Sequence, residues 1–183
     1  IVFYPKDGVS RVQELQMVTQ KGDNTSVVAI HGNFDDAQTG VKKIFADKEF
    51  GAELADHGFQ FSSANSINIG RLVPQVVYYV YAYASLLVNE EIKDGEEINV
   101  TVPTGNFGNI LAAYFAKQLG VPIKKLICAS NDNKVLYDFF QTGTYDRQRD
   151  FILTTSPSMD ILISSNLERL LYLSTGCDAE QTA

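Results

Sequence analysis

The chain has 183 residues, 45% hydrophobic and 20% charged, enough to bury one good core or two smaller ones. Its 11 Phe and 9 Tyr exclude a disordered composition. The formal net charge of −7 and a pI near 4.8 recommend neither nucleic acid nor an anionic membrane as a partner. An acidic chain of this kind can still hold an anion, but only through a local site such as a helix N-terminus. Cys128 and Cys177 are too few for a zinc cluster and fit a reducing cytoplasm better than a disulfide scaffold. No apolar run is long enough to span a bilayer; the densest, Leu72 to Val88, is broken by Pro74, Gln75 and several tyrosines.

Strands and helices alternate along the chain. Ile1 to Tyr4 reads as a strand and Pro5 to Gly8 as a turn. Ser10 with Gln13 forms a capping box for a helix to about Thr19. Val27 to Ile30 is a short buried strand, and Asp35 and Asp36 begin a helix with Val41, Ile44 and Phe45 on one face. After the polar Ser62 to Asn68 segment, a long helix carries Ile69, Leu72, Val73, Val76, Val77, Val80 and Leu87. Pro74 either sits in its first turn or kinks it. Ile98 to Val102 is a strand and Gly108 to Leu119 a helix, stopped by Gly120 and Pro122. Ile123 to Ala129 is a further strand, and a helix from about Asn133 to Phe140 stops at Gly143. Leu162 to Leu173 is again apolar at helical spacing. The fold class expected is three-layer α/β/α, with mainly parallel sheet and helices on both faces. The joint between the two β-α-β-α runs falls near Ser62. The opening on a strand-like Ile1, without methionine or targeting segment, suggests an internal piece of a longer protein.

Chemistry concentrates in Thr104-Gly105-Asn106-Phe107-Gly108-Asn109, where a strand ends and a helix begins at once. Two glycines three apart let backbone N–H groups approach an anion, and the first helical turn offers unpaired N–H groups and a positive dipole end. Without the lysine of a nucleotide-hydrolysing loop or the spacing of a dinucleotide fingerprint, such a loop suits a phosphomonoester. The spacing alone equally describes an ordinary strand-to-helix turn, and slightly favours it. Asn65, Ser66, Asn68 and Arg71 gather hydrogen-bonding groups and one forked donor; capping of a helix explains them as well, and better. Ser130 to Asn133, at the carboxyl end of a strand, is either a ligand-facing loop or a helix cap, with the cap preferred. Tyr78, Tyr79, Tyr81 and Tyr83 read as packing around a helix. His31 and His57 have no ligand-spaced partners, so no metal site is expected.

The segments Tyr4 to Ser10, Ser63 to Leu72 and Val102 to Asn109, in this order and spacing, resemble threonine synthase from Ile1 to about Leu171. The resemblance implies the two-domain fold of tryptophan synthase β chains, a pyridoxal phosphate cofactor, and O-phosphohomoserine as the substrate converted with water to threonine and phosphate. It implies that Thr104, Gly105, Asn106, Phe107, Gly108 and Asn109 bind the cofactor, and that Asn65, Ser66, Asn68 and Arg71 line the substrate site. Residues 1–61 would be the later half of a smaller domain and 62–183 the middle of the larger one. The Schiff-base lysine belongs to a Phe-Lys-Asp context absent from this sequence, so no catalytic residue is assigned and the piece by itself is expected to be inactive. Self-association through apolar surface is expected as well. The alternatives are a stand-alone phosphometabolite-binding module, or another pyridoxal-phosphate lyase of the same fold.

Overall fold

Among the described residues four short strands form two parallel pairs, and each pair is closed by a helical crossover. The structure, a computed structural model, describes residues 1–156 and 159–182. It divides into two units, Ile1–Ser62 and Ser63–Ala183. The chain is α/β with parallel strands, as the alternation of elements predicts.

In the first unit β1 (Val2–Pro5) pairs in parallel with β2 (Val27–Ile30), Val2 opposite Val27 and Pro5 opposite Ile30. The crossover helix α1 (Arg11–Val18) starts where the sequence places it. Ser10 Oγ accepts from Gln13 N at 3.3 Å and Gln13 Oε1 accepts from Ser10 N at 3.0 Å, so the capping box is complete. The next helix is divided, because Asp47 leaves helical geometry. That residue ends α2 (Phe34–Ala46) and caps α3 (Lys48–Asp56) by accepting from Phe50 N. Asn33 and Asp36 form a second capping box at the start of α2. Phe61 then packs on both helices, 5.2 Å from Phe45 and 5.6 Å from Phe50 between ring centres.

In the second unit Pro74 lies in a 3-10 turn, Val73–Gln75, that joins α4 (Ile69–Leu72) to α5 (Val76–Val88). Proline fits there because the tighter turn does not need its missing N–H. Strand β3 (Ile98–Pro103) leads into α6 (Gly108–Gln118) and β4 (Ile123–Ala129), which pairs in parallel with β3. Val100, Val102, Leu126 and Cys128 project from one face of the pair toward the core around α6. Asn99, Thr101, Lys125 and Ile127 alternate with them and are exposed, so this pair packs helices on one face among the described residues. Ala112, Ala113 and Ala116 are fully buried on α6, and their small side chains let α5 and the strands approach it closely. Gly120 and Gly143 adopt positive φ where they stop α6 and α7 (Val135–Thr142). The last long helix, α8 (Leu167–Ser174), begins five residues later than its apolar pattern suggests, and α9 (Ala179–Thr182) follows. Two of the four tyrosines on α5, Tyr78 and Tyr81, are exposed rather than packed, while the Tyr83 hydroxyl donates to Glu96 O.

Beyond β4, Asn131 and Asn133 do not cap α7. Their amides donate to Asp160 Oδ1 at 2.7 and 2.9 Å, and Asn133 also exchanges hydrogen bonds with the Ile152 backbone. Thr154 adds its hydroxyl at 2.7 Å and its N–H at 2.9 Å. Asp160 is 2% exposed. Burial pushes its carboxyl up, but these four donors outweigh it and hold the group below its ordinary value. A depressed folded value stabilises above the unfolded value of about 3.9 and is lost as pH falls through the folded value. The native chain should therefore unfold at lower urea concentration below about pH 4. Asp160→Asn should remove this acid-dependent part and, by turning an amide donor toward donors, cost about 1–3 kcal/mol at neutral pH.

Candidate functional site

The Thr104–Asn109 loop is held by its own side chains, which are turned inward. Thr104 is buried; its N–H donates to Ala129 O and its hydroxyl to Val102 O. Asn106 Oδ1 accepts from Gly108 N at 3.0 Å and its Nδ2 donates to Ser66 Oγ at 2.8 Å. Asn109 Nδ2 donates to Pro103 O and its Oδ1 accepts from Ile110 N. Tyr79 closes the far end by donating to Asn109 O at 2.8 Å, and burial pushes its hydroxyl up.

What remains for a ligand is backbone. Among the described residues nothing accepts from the N–H groups of Gly105, Asn106, Phe107 or Asn109. They lie at the start of the 11-residue helix α6, whose dipole carries roughly half a positive charge at that end. A cluster of unpaired amides beside a helix start is the arrangement that receives a phosphate. The conformational demand falls on an unexpected residue. Phe107, at the N-cap, has φ 66°, and neither Gly105 nor Gly108 does. Gly108 is needed for space instead, since a Cβ there would stand 3.0 Å from Ser66 Oγ and 3.1 Å from Ser66 Cβ. The Phe107 ring is buried in the main core beside Phe140.

Of the four residues read as a substrate wall, Ser66 is buried behind the loop, and its hydroxyl oxygen accepts from both Asn106 and Asn166. Asn68 caps α4 through Gly70 N, and Asn65 Oδ1 accepts from Ile67 N. Arg71 is exposed and spends its Nε on Ala64 O at 3.0 Å; its two terminal nitrogens have no partner among the described residues. Structure therefore brings Ser66 to the loop and leaves Asn65 and Asn68 as local turn-makers.

Two residues that sequence reasoning passed over also meet the loop, and a third holds Ser66 behind it. Ser164 Oγ donates to Gly105 O at 2.6 Å, Asn166 N donates to Asn106 O at 3.0 Å, and Arg169 donates to Ser66 O at 2.8 Å. Their signal was the polar triplet Ser164-Ser165-Asn166 inside an apolar stretch. It is buried, and it is the reason α8 starts only at Leu167. Among the described residues there is no group of acidic, histidine or cysteine side chains that could hold a metal, and no helix long and apolar enough to cross a membrane. The lysines of this unit, at 93, 117, 124, 125 and 134, are exposed. Lys117 donates to Lys124 O, and Lys134 pairs with Asp138 at 3.6 Å. Gly108→Ala should push the added methyl into Ser66 and cost about 1–3 kcal/mol; thermal unfolding of the variant beside the native chain measures it.

No protein-family model matches the chain. Individual relatives do. Threonine synthase-like 1 of Homo sapiens is 50% identical over 182 residues, which is 98% of this chain and 24% of that protein. Threonine synthase of Saccharomyces cerevisiae is 42% identical over 183 residues, 97% of this chain and 34% of the enzyme. Among solved structures, PLP-bound threonine synthase from Brucella melitensis superposes with a TM-score of 0.78 at 46% identity, over 98% of this chain and 36% of that one. The chain thus spans about a quarter to a third of the length of these relatives. By sequence and by fold, nearly the whole chain is similar to one stretch of threonine synthases and threonine synthase-like proteins.

Proposed function

We propose that the chain supplies the phosphate-holding part of a pyridoxal-phosphate-dependent threonine synthase, acting on O-phosphohomoserine and water to give threonine and phosphate in the cytoplasm. The observation that carries this reading is the set of four unpaired N–H groups at Gly105, Asn106, Phe107 and Asn109 beside the start of α6. They fit a phosphomonoester, the group that both cofactor and substrate carry. Pyridoxal phosphate, when bound, supplies an electron sink for chemistry at the carbons of an amino acid. The chain's own part is to grip and orient. The loop amides hold the cofactor phosphate, and Asn109 is kept in place by Tyr79 and Pro103. Arg71 brings free guanidinium donors for a second anion, and we assign it to the substrate phosphate, with Asn65 and Asn68 along the same polar segment. Residues 1–61 correspond on this reading to the later half of a smaller domain and residues 62–183 to the middle of the cofactor domain.

Nothing in the sequence supplies the lysine context that would carry the cofactor's aldehyde, so the chain by itself binds without catalysing. Titration with pyridoxal phosphate should shift the amide resonances of the loop, and inorganic phosphate should compete. Borohydride reduction should then leave no stoichiometric adduct on a single lysine. One site-specific adduct accompanied by threonine formation would sink the inactivity claim. Loop resonances indifferent to both ligands would sink the cradle. Binding of other phosphorylated metabolites as tightly as pyridoxal phosphate would favour a stand-alone sensing module.

The exposed stripe Val73, Val77 and Tyr81, spaced one helical turn apart on the 3-10 turn and α5, supports self-association of the chain. Val77 is 62% exposed and Tyr81 72%. Sedimentation of concentrated protein should show species larger than the monomer, and Val77→Lys with Tyr81→Lys should restore the monomer. A native chain that sediments as a clean monomer rules this association out.

A further inference from the structure

Two carbonyls of the loop are gripped by one short segment. Gly105 O accepts from Ser164 Oγ at 2.6 Å, and Asn106 O accepts from both the N–H and the side-chain amide of Asn166, at 3.0 and 3.1 Å. A trans peptide unit is planar, and its C=O and N–H point in opposite directions. Gly105 O shares its plane with Asn106 N–H, and Asn106 O shares its plane with Phe107 N–H. Fixing the two oxygens therefore fixes the directions of two of the four unpaired donors.

The gripping segment is itself held in one orientation. Asn166 is 0% exposed. Arg169 can only donate, and its Nη1 contacts Asn166 Oδ1, so the amide nitrogen must face Ser66 Oγ, 3.0 Å away, and Asn106 O. The same guanidinium spans the Ser66 and Ile67 carbonyls. A lysine has no fork to make these contacts together. Among the described residues no carboxylate lies within ion-pair distance of Arg169, so its charge is uncompensated one side chain behind the loop. Ser164 is anchored in turn, its N–H donating to Tyr145 Oη at 2.8 Å.

We propose that Ser164, Asn166 and Arg169 are positioning residues that aim the Asn106 and Phe107 N–H groups at a bound phosphate. This rests on the reading of the loop as a phosphate cradle. None of the three touches the ligand; each acts through the peptide planes of the loop.

The test uses the full chain, isotope-labelled and weakly aligned, so that residual dipolar couplings report N–H directions without any ligand. Ser164→Ala should alter the couplings of Asn106 while leaving those of the α6 interior unchanged. It should also weaken inorganic phosphate, followed at the loop amides, by about five- to tenfold, the loss expected for one hydrogen bond. Arg169→Lys keeps the charge and loses the fork, and should alter the couplings of Phe107 with a similar loss of affinity. Asn166→Ala is the more direct change but risks the fold, so the other two variants decide. Couplings and phosphate affinity that match the native chain in both variants overturn the positioning role. Stability lost with unchanged couplings overturns it too, because that is the signature of a merely structural contact. A native chain whose loop amides ignore phosphate overturns the cradle reading instead, while the ligand-free couplings still decide whether Ser164 and Arg169 set the N–H directions.

Discussion

The orientation of one buried amide, that of Asn166, decides the shape of the loop. A carboxamide can present either its oxygen or its nitrogen, and only one of the two choices matches donors to acceptors at both ends. Arg169 removes the choice, because a guanidinium accepts nothing. The nitrogen is then committed to Ser66 Oγ and Asn106 O, and Ser66 Oγ in turn receives Asn106 Nδ2. Residues 66, 106 and 166, far apart in sequence, are thereby fixed to one another. Breaking any of these links leaves a buried polar group without its partner, at about 1–3 kcal/mol each. That is a large share of what holds a domain of this size together.

This knot also accounts for the residue that carries the strain. A non-glycine residue in the left-handed region costs about 1–2 kcal/mol, and Phe107 sits there with φ 66°. Burying its ring returns about 2–3 kcal/mol, so packing more than offsets the strain. Glycine at that position would be free of strain but would lose the ring. The glycines serve other ends, and Gly108 does so by leaving room for Ser66. The loop is therefore held by packing and hydrogen bonding, and not by its glycines alone.

What could be read from the sequence is what is local. The Ser10–Gln13 box, the stops at Gly120 and Gly143 and the parallel strand pairs all depend on neighbours within a few residues or on short crossovers, and they stand where the pattern puts them. The Thr104–Asn109 loop was legible for the same reason, since a strand, two glycines and a helix adjoin. Its support was not. Ser164-Ser165-Asn166 reads as a blemish in an apolar helix, because only the folded chain shows that its partners are Gly105, Asn106 and Ser66. The Asn131 and Asn133 side chains looked like caps until Asp160, from a distant loop, claimed them. Tyr78 and Tyr81 failed in the opposite direction: their size argued for burial, and the surface they meet is solvent.

A chain with a net charge of −7 has little long-range attraction for an anion, so the site must generate its own. On the cradle reading the donors are backbone N–H groups, with the α6 dipole behind them and, one side chain further back, the Arg169 guanidinium, which among the described residues has no carboxylate partner. Backbone donors have a consequence for how such a site can be lost. On that reading, replacing the side chains of Asn106 or Phe107 leaves their N–H groups in the chain, so those side chains are not themselves the groups that would grip the ligand. Only residues that set the direction of the backbone can disarm the grip. On this reading the sensitivity of the loop sits in the contacts that hold its peptide planes, those of Ser66, Ser164, Asn166 and Arg169 behind it together with the Asn106 side chain on Gly108 N and the buried Phe107 ring.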